Sequence, residues 1–157
     1  AYKGSIGVEE IGRNPAKGYA WPDLAISPDG QNVYVNQWGY QKKDAPMGIY
    51  KRDAETGTLT FQATGKLPRA LKGMGAVFEP DGTAMYCASL NDPVMWLERD
   101  PKTGRLRPGG RIAETGLGRA NPRHLALDAA NGVLYAGCGD KDILYVLSTG
   151  RRTPAAK

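Results

Sequence analysis

Apolar and polar residues alternate through "LAISPDGQNVYVN", residues 24–36, on both sides of a Ser-Pro-Asp-Gly turn. Period-2 alternation sends successive side chains to opposite faces of an extended strand. Pro28 presets φ for the turn and Gly30 tolerates positive φ, so the stretch predicts an antiparallel hairpin. The pattern returns in "AVFEPDGTAMYCA" (76–88), turning at Glu79-Pro80-Asp81-Gly82, and again in "LALDAANGVLYAG" (125–137), turning at Asn131-Gly132. Gly30 and Gly82 lie 52 residues apart and Gly82 and Gly132 lie 50 apart, with Tyr34, Tyr86 and Tyr135 keeping phase. A second phrase keeps step with the first: "DAETGTLTFQA" (53–63) matches "DPKTGRLRPGG" (100–110), and Ser148-Thr149-Gly150 falls where a third copy belongs.

Each period therefore holds four short strands, in the first unit roughly 23–27, 32–37, 47–52 and 58–63. Units of about 40–50 residues with four strands are the blades of a β-propeller, in which each small sheet buries its faces by stacking on its neighbours. The chain is expected to be an all-β repeat domain over 1–157, with residues 1–16 the outer strand of a preceding or closing blade. Residues 17–66 and 67–117 make one blade each, and 118–157 an incomplete blade. A β-sandwich of similar hairpins is the competing architecture. It does not explain why period and turn chemistry recur together.

The two ends complicate the ring. "YKGSIGVEEIGRNPAKG" (2–18) aligns with "ETGTLTFQATGKLPRALKG" (55–73), so it reads as the outermost strand of another unit. The tail "RRTPAAK" carries Pro154 and no apolar alternation, which makes a poor fourth strand. A closed propeller takes four or more blades. The expectation is that further blades come from copies of the chain, from other chains or from a longer polypeptide, since the end faces would otherwise be large apolar patches.

Composition sharpens the picture in places. The 21 Gly and 11 Pro supply turns and the 8 Tyr supply strands. A net charge of +5 and a pI near 9.3 are modestly basic, but Lys42-Lys43, Lys51-Arg52, Arg105-Arg107 and Arg151-Arg152 are scattered among acidic residues. They read as solvated blade edges, where they discourage edge-to-edge pairing, rather than as a nucleic-acid stripe. No apolar run reaches the roughly 18 residues of a membrane helix. Cys87 and Cys138 lack metal-ligand spacing and read as small buried thiols, with a disulfide as the alternative, leaving the redox compartment open. A start at Ala1 without Met suits a processed exported protein, a fragment or a trimmed chain, so a periplasmic or extracellular location is favoured over a cytoplasmic one. No phosphate loop, HExxH or GxSxG elbow occurs, "GLGRAN" (116–121) reads as a blade-to-blade turn, and no cofactor or metal is expected.

Candidate chemistry gathers at the starts of the innermost strands, where a propeller faces its central channel. Asp23, Gly75 and His124 fall at one equivalent position, preceded by Pro22, Met74 and Arg123. His124 is the only histidine, able to act as acid or base near neutral pH, and Arg123 beside it can hold an anion. A structural histidine at a strand start fits the same residue types. Trp21 is a candidate stacking platform at the channel mouth, whereas Trp38 and Trp96 read as blade packing.

"NPRHLALDAANGVLYAGCGDKDILYVL" resembles the Pro-Arg-His-Leu blade of the lactonase family of seven-bladed propellers, which includes bacterial 6-phosphogluconolactonases and fungal muconate-lactonizing enzymes. "ISPDGQNVYVN" and "YKRDAETGTLT" are similar to other blades of that family, and also to YVTN-type surface proteins and to propeller subunits of amine dehydrogenases. The resemblance implies Arg123 and His124 as channel-facing groups that bind or transform a small anionic lactone. Family members often carry Asn-Glu after the next strand, where this chain has Gly137-Cys138-Gly139, so an acidic partner is missing there. Asp23, which would orient the imidazole, and a residue on a further blade are the candidate replacements. Two functions stay open: a binding or assembly module completed by other propeller chains or copies, and a lactonase-like enzyme unit.

Overall fold

The computed structural model describes residues 21–38, 47–65, 74–88, 94–112, 122–139 and 143–150. They form three antiparallel sheets. The first contains β1 (Trp21–Ile26), β2 (Asn32–Trp38), β3 (Met47–Arg52) and β4 (Leu59–Gly65) in sequential order. The second repeats this with β5 (Met74–Phe78), β6 (Ala84–Ala88), β7 (Met95–Arg99) and β8 (Leu106–Arg111). The third holds β9 (Pro122–Asp128), β10 (Val133–Cys138) and β11 (Ile143–Ser148) and ends there among the described residues. These are blades 1, 2 and 3. The strands of blade 1 lie within two residues of those expected from sequence. The proposed outer strand near the N-terminus and the "GLGRAN" turn lie outside the described residues.

Register shows why the repeat phrases recur. Tyr34 pairs with Ala25, Tyr86 with Val77 and Tyr135 with Ala126, so the three tyrosines hold one position in successive blades. In blades 1 and 2 the outer strand bulges at the same place, after Ile49 and after Trp96, which leaves Gln62 and Gly109 as the extra residues. At Gly109 a side chain would run into the Trp96 ring, so glycine there seats the indole as blade packing.

Stacking buries two layers. The tyrosine-bearing face of blade 1 (Ala25, Tyr34, Met47, Ile49) packs on Met85, Cys87, Met95 and Leu97 of blade 2. The tyrosine-bearing face of blade 2 (Val77, Tyr86, Trp96) then packs on Leu134, Ala136, Cys138 and Leu147 of blade 3. Cys87 and Cys138 are buried free thiols, one in each layer.

A polar clamp reinforces the first layer. The fully buried Arg99 side chain, at the end of β7, donates Nε to Tyr34 Oη (2.8 Å), Nη1 to the Gly82 carbonyl (3.3 Å), and Nη2 to Asp29 Oδ2 and Asn32 Oδ1 (2.8 Å each). Tyr34 Oη in turn donates to the Gly104 carbonyl at 2.7 Å. Blade 2 is thus fastened to the β1–β2 turn of blade 1 by a planar donor, the geometry arginine supplies and lysine does not.

Candidate functional site at the inner strands

The innermost strands β1, β5 and β9 lie side by side, with β5 touching both of the others. Their approach is close. A Cβ on Gly75, which sits at φ +66° in a bulge of β5, would come 2.6 Å from the Arg123 carbonyl oxygen. Gly75, aligned in sequence with Asp23 and His124, lets β9 press against β5.

Arg123 and His124 enter through a second bulge. Gly137 pairs with His124 and Cys138 with Pro122, which leaves Arg123 as the extra residue of β9. A bulge re-aims the side chains beside it. His124 is exposed, while Arg123 is half-buried with its Nε shielded from solvent. The Arg123 side chain lies along the turn after β10: a Cβ on Gly139 would stand 2.9 Å from its Nε. The Gly-Cys-Gly phrase that removes the expected acid therefore makes room for the arginine. That signal is present in the sequence, but only the bulge reveals it.

Asp23 occupies the equivalent position on β1, in an unbulged register opposite Asn36. Its Oδ2 is buried and makes no hydrogen bond among the described residues. Its charge is felt by Cys87, whose thiol is pushed far up, first by burial and second by this carboxylate. No hydrogen bond joins Asp23 to His124 among the described residues, and β5 stands between their strands. Trp21 opens β1 opposite Trp38, but the expectations for both rings lie outside the described side chains.

What the inner strands present is a cationic and an imidazole group on β9, and a half-buried carboxylate two strands away. Two stacked four-strand sheets and a third of three described strands, each in sequential order, define the chain as part of a β-propeller. The sequence matches the family described as lactonase, 7-bladed beta-propeller, over residues 8–118, and the chain belongs to that family. Among solved structures, a protein from Lactobacillus plantarum is similar at 17% identity and a TM-score of 0.62, covering 85% of this chain and 45% of that one. A putative 6-phosphogluconolactonase from Bacteroides fragilis is 31% identical over 55% of this chain and 23% of its own, with a TM-score of 0.41. The periplasmic gluconolactonase of Pseudomonas aeruginosa is 17% identical, with 85% of this chain and 43% of that one covered, at a TM-score of 0.49. This chain thus spans less than half the length of each of these proteins. No curated protein matches the sequence.

Proposed function

We propose that this chain works as a binding and assembly unit, a block of propeller blades that becomes functional when further blades cover its two end faces. One observation carries the reading: the outward faces of the first and last blades expose residues of the kind that the inner faces bury. Leu24 is 63% and Ile26 54% exposed on blade 1, and Leu144 and Val146 are each 64% exposed on blade 3. At about 25 cal/mol per Å2 of apolar surface, covering such faces is a strong drive to association. Multi-angle light scattering during size exclusion tests the reading. Association, or capture of further blades, is expected; a monodisperse 16.9 kDa species with cooperative unfolding would overturn it.

A lactonase-type activity is the second reading, favoured by the adjacency of Arg123 and solvent-exposed His124 on the bulged β9. In it Arg123 holds the carboxylate or phosphate of a small lactone and His124 activates water or protonates the leaving oxygen. On the closed assembly, His124→Gln should lower lactone hydrolysis by about 10²–10⁴-fold while leaving binding largely intact. Arg123→Lys should weaken binding, because a forked donor becomes a point charge. Equal activity in the His124 variant would assign that residue a structural role.

A further inference from the structure

Arg52 and Arg99 hold the same position in blades 1 and 2. Each ends a β3-type strand, begins the phrase Arg-Asp-x-x-Thr-Gly, and donates its Nη1 to the turn carbonyl of its own blade, Gly30 or Gly82, at 3.3 Å. Their main chains agree as well: Arg52 N donates to the Gln31 carbonyl at 2.7 Å and Arg99 N to that of Thr83 at 2.8 Å. The difference lies in what stands in front. Arg99 reaches the preceding blade and grips Asp29, Asn32 and Tyr34 there. Arg52 has no preceding blade in the described chain and makes no other side-chain hydrogen bond or ion pair among the described residues. The adjacent Asp53 carboxylate is occupied by the N–H groups of Glu55 and Thr56 and the Thr56 hydroxyl.

We propose that Arg52 is the open half of an inter-blade clamp. The Leu24–Ile26 face of blade 1 is then a docking surface for a blade with a carboxylate in its first turn and a tyrosine on its second strand. The inference rests on the assembly reading and adds the chemistry of the partner. It also discriminates between partners. If a second copy docked head to tail, its blade 3 would face Arg52. The turn from Leu127 to Leu134 has the same length as that from Ile26 to Val33, so Ala130 stands where Asp29 does and Val133 where Asn32 does. Of the three groups that grip Arg99, blade 3 repeats only the tyrosine, Tyr135. The carboxylate of that turn, Asp128, stands at the Ser27 position instead and is held by the Asn131 backbone and side-chain N–H groups, so a guanidinium buried there would lose its hydration with no carboxylate at the Asp29 position, a penalty of the kind that rejects wrong partners. The occupant is accordingly a further propeller blade of the Pro-Asp-Gly type rather than blade 3 of another copy.

The missing half can be built into the chain itself. Ala130→Asp with Val133→Asn recreates the clamp acceptors on blade 3, and association is read by sedimentation at graded concentrations. The rebuilt chain should self-associate at least about tenfold more tightly than the unmodified chain, and adding Arg52→Met should cancel the gain. Arg105→Met, which removes an exposed positive charge elsewhere, should leave the gain in place. If both chains associate equally, with or without Arg52, the clamp is wrong while the assembly reading stands. If every variant is a stable monomer, both fail.

Discussion

Arg99→Met removes the clamp between blades 1 and 2 while keeping the length of the apolar stem. The side chain is wholly buried and donates four hydrogen bonds, one each to Tyr34, Gly82, Asn32 and Asp29. Asp29 keeps 31% of its side-chain surface, so its share is discounted, because water and the Ser27 hydroxyl still solvate it. The Gly82 carbonyl and Asn32 Oδ1 lie inside and would be stranded, at about 1–3 kcal/mol each when no water replaces the donor. Loss of roughly 3–4 kcal/mol is therefore expected, a large fraction of the 5–15 kcal/mol typical of a domain. Urea denaturation followed by tryptophan fluorescence measures it. Tyr34→Phe alone, which removes an acceptor for Arg99 and a donor to Gly104, should cost about 1–2 kcal/mol, and the double variant should cost less than the sum. A loss below about 1 kcal/mol for Arg99→Met would refute the clamp as an energetic link, and strict additivity would refute the network.

Gly75→Ala should destabilise the chain by more than about 2 kcal/mol, since the new Cβ meets Arg123 backbone at 2.6 Å in a left-handed conformation; an unchanged midpoint in the same urea assay would count against the close approach of β5 and β9. Acid should unfold the protein through its turn carboxylates. Burial raises the Asp29 carboxyl, but bonds from Ser27, the Gln31 N–H and Arg99 outweigh it and hold it low, while Thr56 lowers Asp53 and Thr103 lowers Asp100. A carboxyl lowered in the folded state adds stability above the ordinary value of about 4 and loses it as pH falls through the folded value. The melting temperature should thus fall progressively below about pH 4, and Asp29→Asn should flatten that slope; a slope identical in the variant would remove Asp29 from the account.

Much of the fold was legible because turns and periods are local. Pro28-Asp29-Gly30 and Pro80-Asp81-Gly82 announce hairpins by backbone chemistry alone, and the strands formed there. The same locality hid the contacts that matter between blades. Nothing near Arg99 in sequence names Asp29 as its partner, 70 residues away. The bulge at Arg123 was equally hidden, since it depends on how β9 registers against β10 rather than on any motif. The aligned position of Asp23, Gly75 and His124 was readable by counting from the tyrosines, but the bulge at Gly75 that lets β9 press on β5 was not.

The tyrosines supply a comparison within one molecule. Tyr34 and Tyr86 are 1% and 0% exposed, whereas Tyr135, in the same register and sheet position, is 36% exposed. Their hydroxyls differ as well: Tyr34 accepts from Arg99 and donates to the Gly104 carbonyl, and Tyr86 donates to Glu79 within its own blade at 2.7 Å. Burial of this position is therefore set by the presence of a following blade and not by residue type. The clamp is a separate matter, used at one junction and absent at the next, where Thr149, just past β11, takes the place that Arg52 and Arg99 hold at the ends of β3 and β7. Apolar stacking is common to both junctions among the described residues and so carries adhesion, while the arginine grips at one of them, where on the clamp proposal it adds register and choice of neighbour. At its first blade the chain presents both, an apolar face and an arginine with no acceptor in front of it among the described residues; at its last it presents the apolar face alone.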